Sequence, residues 1–480
     1  MLTGPTPRPA ALLAAAVLVL SGCVPSSSVA PSLLSSASSH LAPSPAESPA
    51  ITAEAIRGHL EALEAIADVN GGVRTAGTPG YDASVEYVAG QLRALGYAVE
   101  TPEFAMATFT ELPGATIQVG DGGPAFAAGD DFHAMIYSGG GDIVAPVVAI
   151  GFGEEESGGC SSSDWADLPA GAIAVVPPGP CFRRQAVLNA VEAEAAAIVG
   201  TNPQRPAGRV LRPTLLSPDG ISIPAISGSA ELGAALRAAA EAGTDVHLNV
   251  QTEIASAIVR NVIGESHGAA DQVVMLGGHL DSVHDGPGMN DNGSGTAALL
   301  EVARLMAAEH PSLRLRFAFW GGEEFGLLGS RAYVNGLGTD ERAEIATYLN
   351  FDMLGSPNFV PFVYDQADAA PGSAAIADFL VDYLESQGIG AERLDIGGGS
   401  DHAFFAEAGI PTGGIFSGAT ELKSIEQAEA FGGSAGEPMD ACYHLACDTA
   451  ANVDVEQVAS LAAAAVALTL ALATGELAFP

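Results

Sequence analysis

The chain changes its hydrophobic rhythm several times. Residues 11–20, ALLAAAVLVL, form one unbroken apolar run. From 51 to 98, apolar positions recur at helical spacing in ITAEAIRGHLEALEAIADV and again in SVEYVAGQLRALGY, which predicts two amphipathic helices. Between about 115 and 250 short β-rich runs (APVVAIGFG, GAIAVVPPG, ISIPAISG) alternate with glycine and proline loops, and QAVLNAVEAEAAAIV reads as a single helix among them. From 257 onward strands and helices alternate. AIVRNVIGE, DQVVMLGGH, LRLRFAFW, ATYLNFDML and IPTGGIF read as strands; TAALLEVARLMAAE, EEFGLLGSRAYVNGL and IADFLVDYLESQ read as helices. Near-continuous apolar strands alternating with amphipathic helices predict an α/β fold, a mixed and mostly parallel sheet with helices on both faces. The run LAAAAVALTLALA (461–473) reads as a buried terminal helix. The expected organisation is a leader over 1–22, a tether over 23–50, a first part of the α/β domain over 51–114, an inserted β-rich domain over 115–250, and the rest of the α/β domain over 251–480.

The ends of the predicted strands carry the chemistry. In α/β sheets, ligands gather beyond the carboxyl ends of parallel strands. DQVVMLGGH ends in His279, LRLRFAFW is followed by Glu323 and Glu324, and ATYLNFD ends in Asp352. Asp291 sits in the loop GMNDNGSG just before a helix, and His444 sits in CYHLAC. One histidine at a strand end is ordinary, and two acids after a strand could merely favour a helix N-terminus. Five such segments together point to a centre with nitrogen and oxygen ligands, which suits zinc. Asp281, two residues beyond His279, is expected to orient that imidazole from behind. His284 and His267 read as solvated loop residues, and Asp448 as a cap or turn residue.

Charge narrows the partners. The chain holds 57 acidic against 18 basic residues, a formal net charge of −39, which disfavours nucleic acid and anionic lipid and favours cationic ligands such as peptide amino ends. Arg8 ahead of the apolar run reads as an export signal too short to span a bilayer. LSGC (20–23) resembles the bacterial lipobox, and that resemblance implies a lipid on Cys23. The following Ser/Pro/Ala tract suits a flexible tether to the outer face of a membrane, with secretion as the alternative. Export implies an oxidising compartment. Nearness in sequence then favours the disulfides Cys160–Cys181 and Cys442–Cys447.

The segments GGHLDSV, GMNDNGSGTAALLEVAR, RFAFWGGEEFGLLGS, YLNFDMLGSPN and GGSDHAFF…GIPTGGIFSGA…CYHLACD resemble secreted two-zinc leucyl aminopeptidases of the Streptomyces and aminopeptidase Y type. The stretch 171–202 resembles the protease-associated domain inserted in many of them. The resemblance implies the zinc exopeptidase fold, two Zn2+ per chain and peptide substrates; a monomer is expected, with the N-terminal anchor as its sole membrane link. It makes Asp291 the carboxylate shared by both metals. His279 and Asp352 complete one site, and Glu324 and His444 the other. Glu323 becomes the general base for a zinc-activated water, and Tyr443 the donor to the oxyanion. Met353, Phe416 and Tyr443 fall on the apolar wall that receives the first side chain, which implies a preference for large apolar N-terminal residues. Ser400, Asp401 and His402 are structural in that pattern. Relatives often carry an arginine before this triplet, where this chain has Gly397–Gly399. Other exopeptidases on the fold, such as carboxypeptidases and dipeptidases, need basic groups for a free carboxylate, and segments 277–295, 318–330 and 350–356 lack lysine and arginine. A single-zinc glutaminyl cyclase and a catalytically decayed peptide-binding protein are the remaining alternatives.

Overall fold

The computed structural model describes residues 50–153, 156–202, 210–268, 271–309, 313–366 and 370–477. The export signal, Cys23 and nearly all of the tether lie outside the described residues.

One eight-stranded mixed sheet forms the centre. Its middle strands Arg314–Trp320, Val273–His279, Ile345–Phe351 and Thr412–Phe416 are mutually parallel neighbours. Ala98–Glu100 and Val262–Glu265 extend one side, and Phe362–Tyr364 with Glu392–Leu394 the other. Every residue of Val273–His279 and Ile345–Phe351 is buried, because both sheet faces are covered. The period of two assigns side chains to those faces. Val274, Leu276, Phe317, Phe319 and Leu349 join one core, which contains residues of helices Ala53–Val69, Pro79–Ala94, Gly295–Glu309, Ser373–Ser386 and Val455–Thr474. Val273, Met275, Ala318, Trp320 and Tyr348 join the other, with Val334 and Phe405 from two shorter helices. The terminal helix Val455–Thr474 is long and apolar enough to cross a membrane, yet Val458, Leu461, Ala462, Leu468 and others are spent in the core, as its sequence suggests.

A second eight-stranded sheet is built from strands between Thr116 and Val250, in the order Ala125–Ala127, Thr116–Val119, Asp245–Val250, Gly141–Ala149, Ile173–Val176, Ala197–Thr201, Ala225–Gly228, Phe132–Ala134. The chain enters and leaves it along an antiparallel ribbon of Glu103–Glu111 and Thr252–Arg260.

Three expected elements differ. The helix read over 185–199 ends at Glu192, and Ala197–Thr201 becomes a parallel strand between Ile173–Val176 and Ala225–Gly228. An alanine-rich apolar run fits either element, and only burial between two strands decides. The strand read over 257–265 breaks at Asn261. The helix read from Glu323 begins only at Leu328, because Gly326 (φ 125°) and Leu327 (φ 58°) take left-handed backbone first.

Candidate metal centre

The carboxyl ends of the parallel strands converge. His279 is the last residue of its strand and pairs with Trp320 across the ladder, so the turn after Trp320 lies beside it. Asp352 follows Phe351 directly. Around these ends His279 Nε2 lies 3.1 Å from Asp291 Oδ1 and 3.3 Å from Asp352 Oδ1. On the other side of the same carboxylate, His444 Nε2 lies 3.0 Å from Asp291 Oδ2 and 3.1 Å from Glu324 Oε2. Thus His279, Asp291 and Asp352 form one potential ligand set, and Asp291, Glu324 and His444 another, with all ligand atoms in each set within 4.8 Å of one another. Asp291 offers one oxygen to each. A third grouping, His279 with Glu323 and Glu324, overlaps both.

The loop that carries Asp291 is fixed by its own surroundings. The buried Asp448 carboxylate accepts the backbone N–H groups of Asn290 (2.8 Å) and Asp291 (3.1 Å). Asn290 accepts from Gly355 N–H at 3.0 Å, and Asn292 accepts from Met353 N–H at 3.2 Å, so the Asp291 loop and the segment after Asp352 hold each other. Asp448 therefore caps no turn of its own: its carboxylate holds the distant main chain that carries Asp291. Burial first, and the neighbouring Asp440 second, raise its pKa to about 8.

Arg74, fully buried, was not singled out by its sequence context. Its guanidinium donates to the carbonyls of Leu280, Pro287 (3.0 Å) and Gly288 (2.7 Å), which tie down the loop between His279 and Asp291. Leaving these carbonyls unpaired costs about 1–3 kcal/mol each before relaxation. Arg74→Ala should therefore lower stability by about 3 kcal/mol or more, read as a fall in the urea midpoint of the protein. An unchanged midpoint would remove this role.

The GGEEFG turn has a similar frame. Gly321 and Gly322 are required rather than tolerated: a Cβ on Gly321 would stand 2.2 Å from the Tyr81 hydroxyl, and Gly322 has φ 72°. Asn261, at which the strand read over 257–265 breaks, accepts from Gly321 N–H and donates to the Gly329 carbonyl, both at 3.0 Å. The Asp281 carboxylate accepts the backbone N–H of Glu323 at 3.2 Å. His279 Nδ1 lies 3.0 Å from the Asp281 carbonyl and 3.7 Å from its carboxylate, so Asp281 stands behind the imidazole with both groups, and its carboxylate holds the Glu323 main chain as well.

The donor chemistry fits metal. Ligand atoms about 2.0–2.1 Å from a zinc ion at tetrahedral angles stand roughly 3.3 Å apart, close to the nitrogen–oxygen separations found here. Glu324 Oε1 and Asp352 Oδ1 are buried without a hydrogen-bond partner among the described residues. Burial, with Asp291 adding to it against His444, raises the Glu324 pKa to about 7, and burial drives Glu323 well above the usual carboxylate range. Buried carboxylates in excess of the two imidazoles call for cations.

A cavity of about 900 Å³ opens onto Glu323, Glu324, Tyr443 and His444. Its remaining lining comes largely from the second sheet's domain, including Met135, Val176, Val187, Ile198 and Leu216. That domain thus roofs the centre, and Arg212 locks it there. Arg212 donates to Glu111 and, at 2.9 and 3.1 Å, to Asp285 in the loop following Asp281. The Tyr443 ring stacks on His444 with centroids 3.8 Å apart. Both sit in the loop closed by Cys442–Cys447, and Cys160–Cys181 closes the second expected pair.

The other singled-out residues fall as follows. Met353 and Phe416 are not part of the cavity lining; Met353 is buried, and Phe416 stacks on Phe362 in a small separate core. Ser400 donates to Asp352 Oδ2 at 2.7 Å and so holds a carboxylate of the centre. His402 is buried, 2.7 Å from Gln366 and 3.0 Å from the Gly397 carbonyl, and is no ligand; Asp401 is buried beside it. His267 is exposed. His284 is not solvated as expected: its ring packs edge-on against Phe109 and Phe325, its Nε2 lies 3.0 Å from the Phe109 carbonyl, and burial lowers its pKa.

Comparison with known proteins agrees with this architecture. The profile of peptidase family M28 matches residues 261–469, and the PA domain profile matches 142–236. The chain is similar to an aminopeptidase of Pseudomonas aeruginosa, 39% identical over 431 residues, covering 86% of this chain and 80% of the other. It is similar to a probable lipoprotein aminopeptidase, LpqL, of Mycobacterium tuberculosis, 42% identical over 423 residues, covering 84% and 81%. Its fold is similar to that of BSAP, a zinc aminopeptidase from Bacillus subtilis, with a TM-score of 0.67 at 25% identity, covering 88% and 96%.

Proposed function

The chain belongs to peptidase family M28 as a zinc aminopeptidase with an inserted PA domain, and from that premise we propose a two-zinc mechanism with Glu323 as general base and a preference for large apolar N-terminal residues. The observation that carries the two-metal reading is the position of Asp291, whose two oxygens face His279 and His444 separately. His279, Asp291 and Asp352 would hold one zinc, and Asp291, Glu324 and His444 the other. When bound, the metals would supply Lewis acidity toward the scissile carbonyl and toward water.

The rest belongs to the chain. Glu323 lines the cavity without serving either three-residue set, so its carboxylate is free to take a proton from the attacking water and pass it to the leaving amine. Asp281 fixes the main chain of Glu323. The Tyr443 phenol, kept protonated because burial raises its pKa far above neutrality, donates a hydrogen bond to the developing oxyanion. Ser400 leaves Asp352 one committed oxygen and one free. The acidic surroundings suit a substrate ammonium, and the apolar cavity wall of Val176, Ile198, Leu216, Leu327 and Phe404 suits Leu, Met or Phe at the first position.

Peptides are the proposed partners, met by a monomer outside the cytoplasm, with the N-terminal lipid as its tether; the lipoprotein name of the mycobacterial relative supports that location. The test uses leucine p-nitroanilide and metal analysis. About two zinc ions per chain are expected, with hydrolysis abolished by a chelator and restored by zinc. Full activity with about one zinc per chain would overturn the two-metal reading.

A further inference from the structure

The cavity that opens onto Glu323 and Tyr443 also contains Arg183, Arg212 and Arg331. In a chain with 57 acidic and 18 basic residues, arginines gathered at one cavity need a reason. Arg212 has one, since Glu111 and Asp285 neutralise it. Arg183 and Arg331 have no carboxylate partner among the described residues. The Arg331 guanidinium lies 5.9 Å from the centre of the Phe404 ring, and that of Arg183 lies 5.0 Å from the Phe182 ring.

Arg183 is held in place with care. Cys181, two residues earlier, is bonded to Cys160, and Asn189 donates to the carbonyls of Gly159 (3.0 Å) and Cys160 (3.1 Å). The adjacent Arg184 turns inward and donates to the carbonyls of Leu215 (2.9 Å), Ser217 and Asp219, so it is consumed in the domain's own structure. Arg183 is left solvent-exposed at the cavity. The protein packed around its guanidinium lowers its pKa.

We propose that Arg183, assisted by Arg331, binds the free α-carboxylate of short peptide substrates, so that the inserted domain selects di- and tripeptides with an unblocked carboxyl end. This rests on the aminopeptidase reading above. With the ammonium end held among the carboxylates of the centre, the remaining fixed charge of any short peptide is its terminal carboxylate. A guanidinium fork matches that group in two parallel hydrogen bonds. The chain's acidic surface would otherwise repel it, and segments 277–295, 318–330 and 350–356 hold no lysine or arginine. The roofing domain supplies Arg183, and Arg331 adds to it from the helix Leu328–Gly336 that follows Glu324.

The experiment compares the zinc-loaded wild type with Arg183→Ala and Arg183→Lys on Leu-Gly-Gly, Leu-Gly-Gly amide, Leu-Gly-Asp amide and leucine p-nitroanilide. Arg183→Ala should lower kcat/KM for Leu-Gly-Gly about tenfold or more, mainly through KM, while the amide and the anilide change by less than about twofold. Arg183→Lys should recover part of the loss. An equal fall on the free acid and its amide, or no fall on the free acid, overturns the proposal. So does a defect confined to Leu-Gly-Asp amide, which would assign the arginine to an acidic side chain. If the wild type hydrolyses none of the four, the peptidase reading falls as well; intact hydrolysis without a selective loss removes the role of Arg183 alone.

Discussion

Glu323→Ala should keep its zinc and lose turnover by about 10²- to 10⁴-fold, the range of a missing general base. Glu323 and Glu324 are neighbours in sequence but differ in position. Glu324 Oε2 lies 3.1 Å from His444 Nε2 within a ligand set that also holds Asp291, whereas Glu323 lines the cavity and its main chain is held by Asp281. Removing the Glu323 carboxylate leaves His279, Asp291, Asp352, Glu324 and His444 intact. The loss should thus fall on kcat with zinc content unchanged. Zinc analysis beside steady-state kinetics on leucine p-nitroanilide checks this. A variant that loses metal yet regains full activity on zinc addition would exchange the roles of the two glutamates.

Asp291→Ala should have the larger effect on metal. Its two oxygens lie 3.1 Å from His279 and 3.0 Å from His444, so a single truncation removes a ligand from both sets. Each set falls to one histidine and one carboxylate, and the charge opposing two close cations falls with it. The loop itself should survive, because Asp448 binds the main-chain N–H groups of residues 290 and 291 rather than the Asp291 side chain. Zinc retained after dialysis should drop to well below one ion per chain, with activity lost and not restored by moderate added zinc. A fully loaded, folded variant would end the reading of Asp291 as the shared ligand.

The two predictions bear differently on what the chain states openly. His279, Asp352 and the adjacent glutamates stand at the ends of apolar runs, and the carboxyl-end rule for parallel strands makes them visible without coordinates. The division between Glu323 and Glu324 is less visible. Two identical side chains in a row differ only through the turn beneath them, which depends on Gly321, Gly322, Asn261 and Asp281. Arg74 left no signal in periodicity or motif, and Asp448 read only as a cap or turn residue. Each acts on main-chain groups far away in sequence, and one buried arginine or aspartate reads like any other until its partners are known. The inserted domain shows the same limit. Its β-rich texture announces a separate sheet, yet nothing in 171–202 says that it covers the metal centre or that Arg183 faces the cavity while Arg184 does not.

The sequence by itself determined the alternation of strands and helices and the outline of the inserted segment, because these follow from local period, and nearness in sequence singled out the two cysteine pairs that the structure joins; the candidate metal-binding side chains came from residue chemistry at strand ends together with the family resemblance. Only the tertiary structure decided that the Asp281 carboxylate also holds the Glu323 main chain, that 197–201 is a strand, that Arg74 and Asp448 tie down the loop of Asp291, and that Met353 and Phe416 are absent from the cavity lining. Those outcomes depend on contacts between residues tens to hundreds of positions apart. Burial and hydrogen bonding there outweigh the local preferences that a linear reading can weigh.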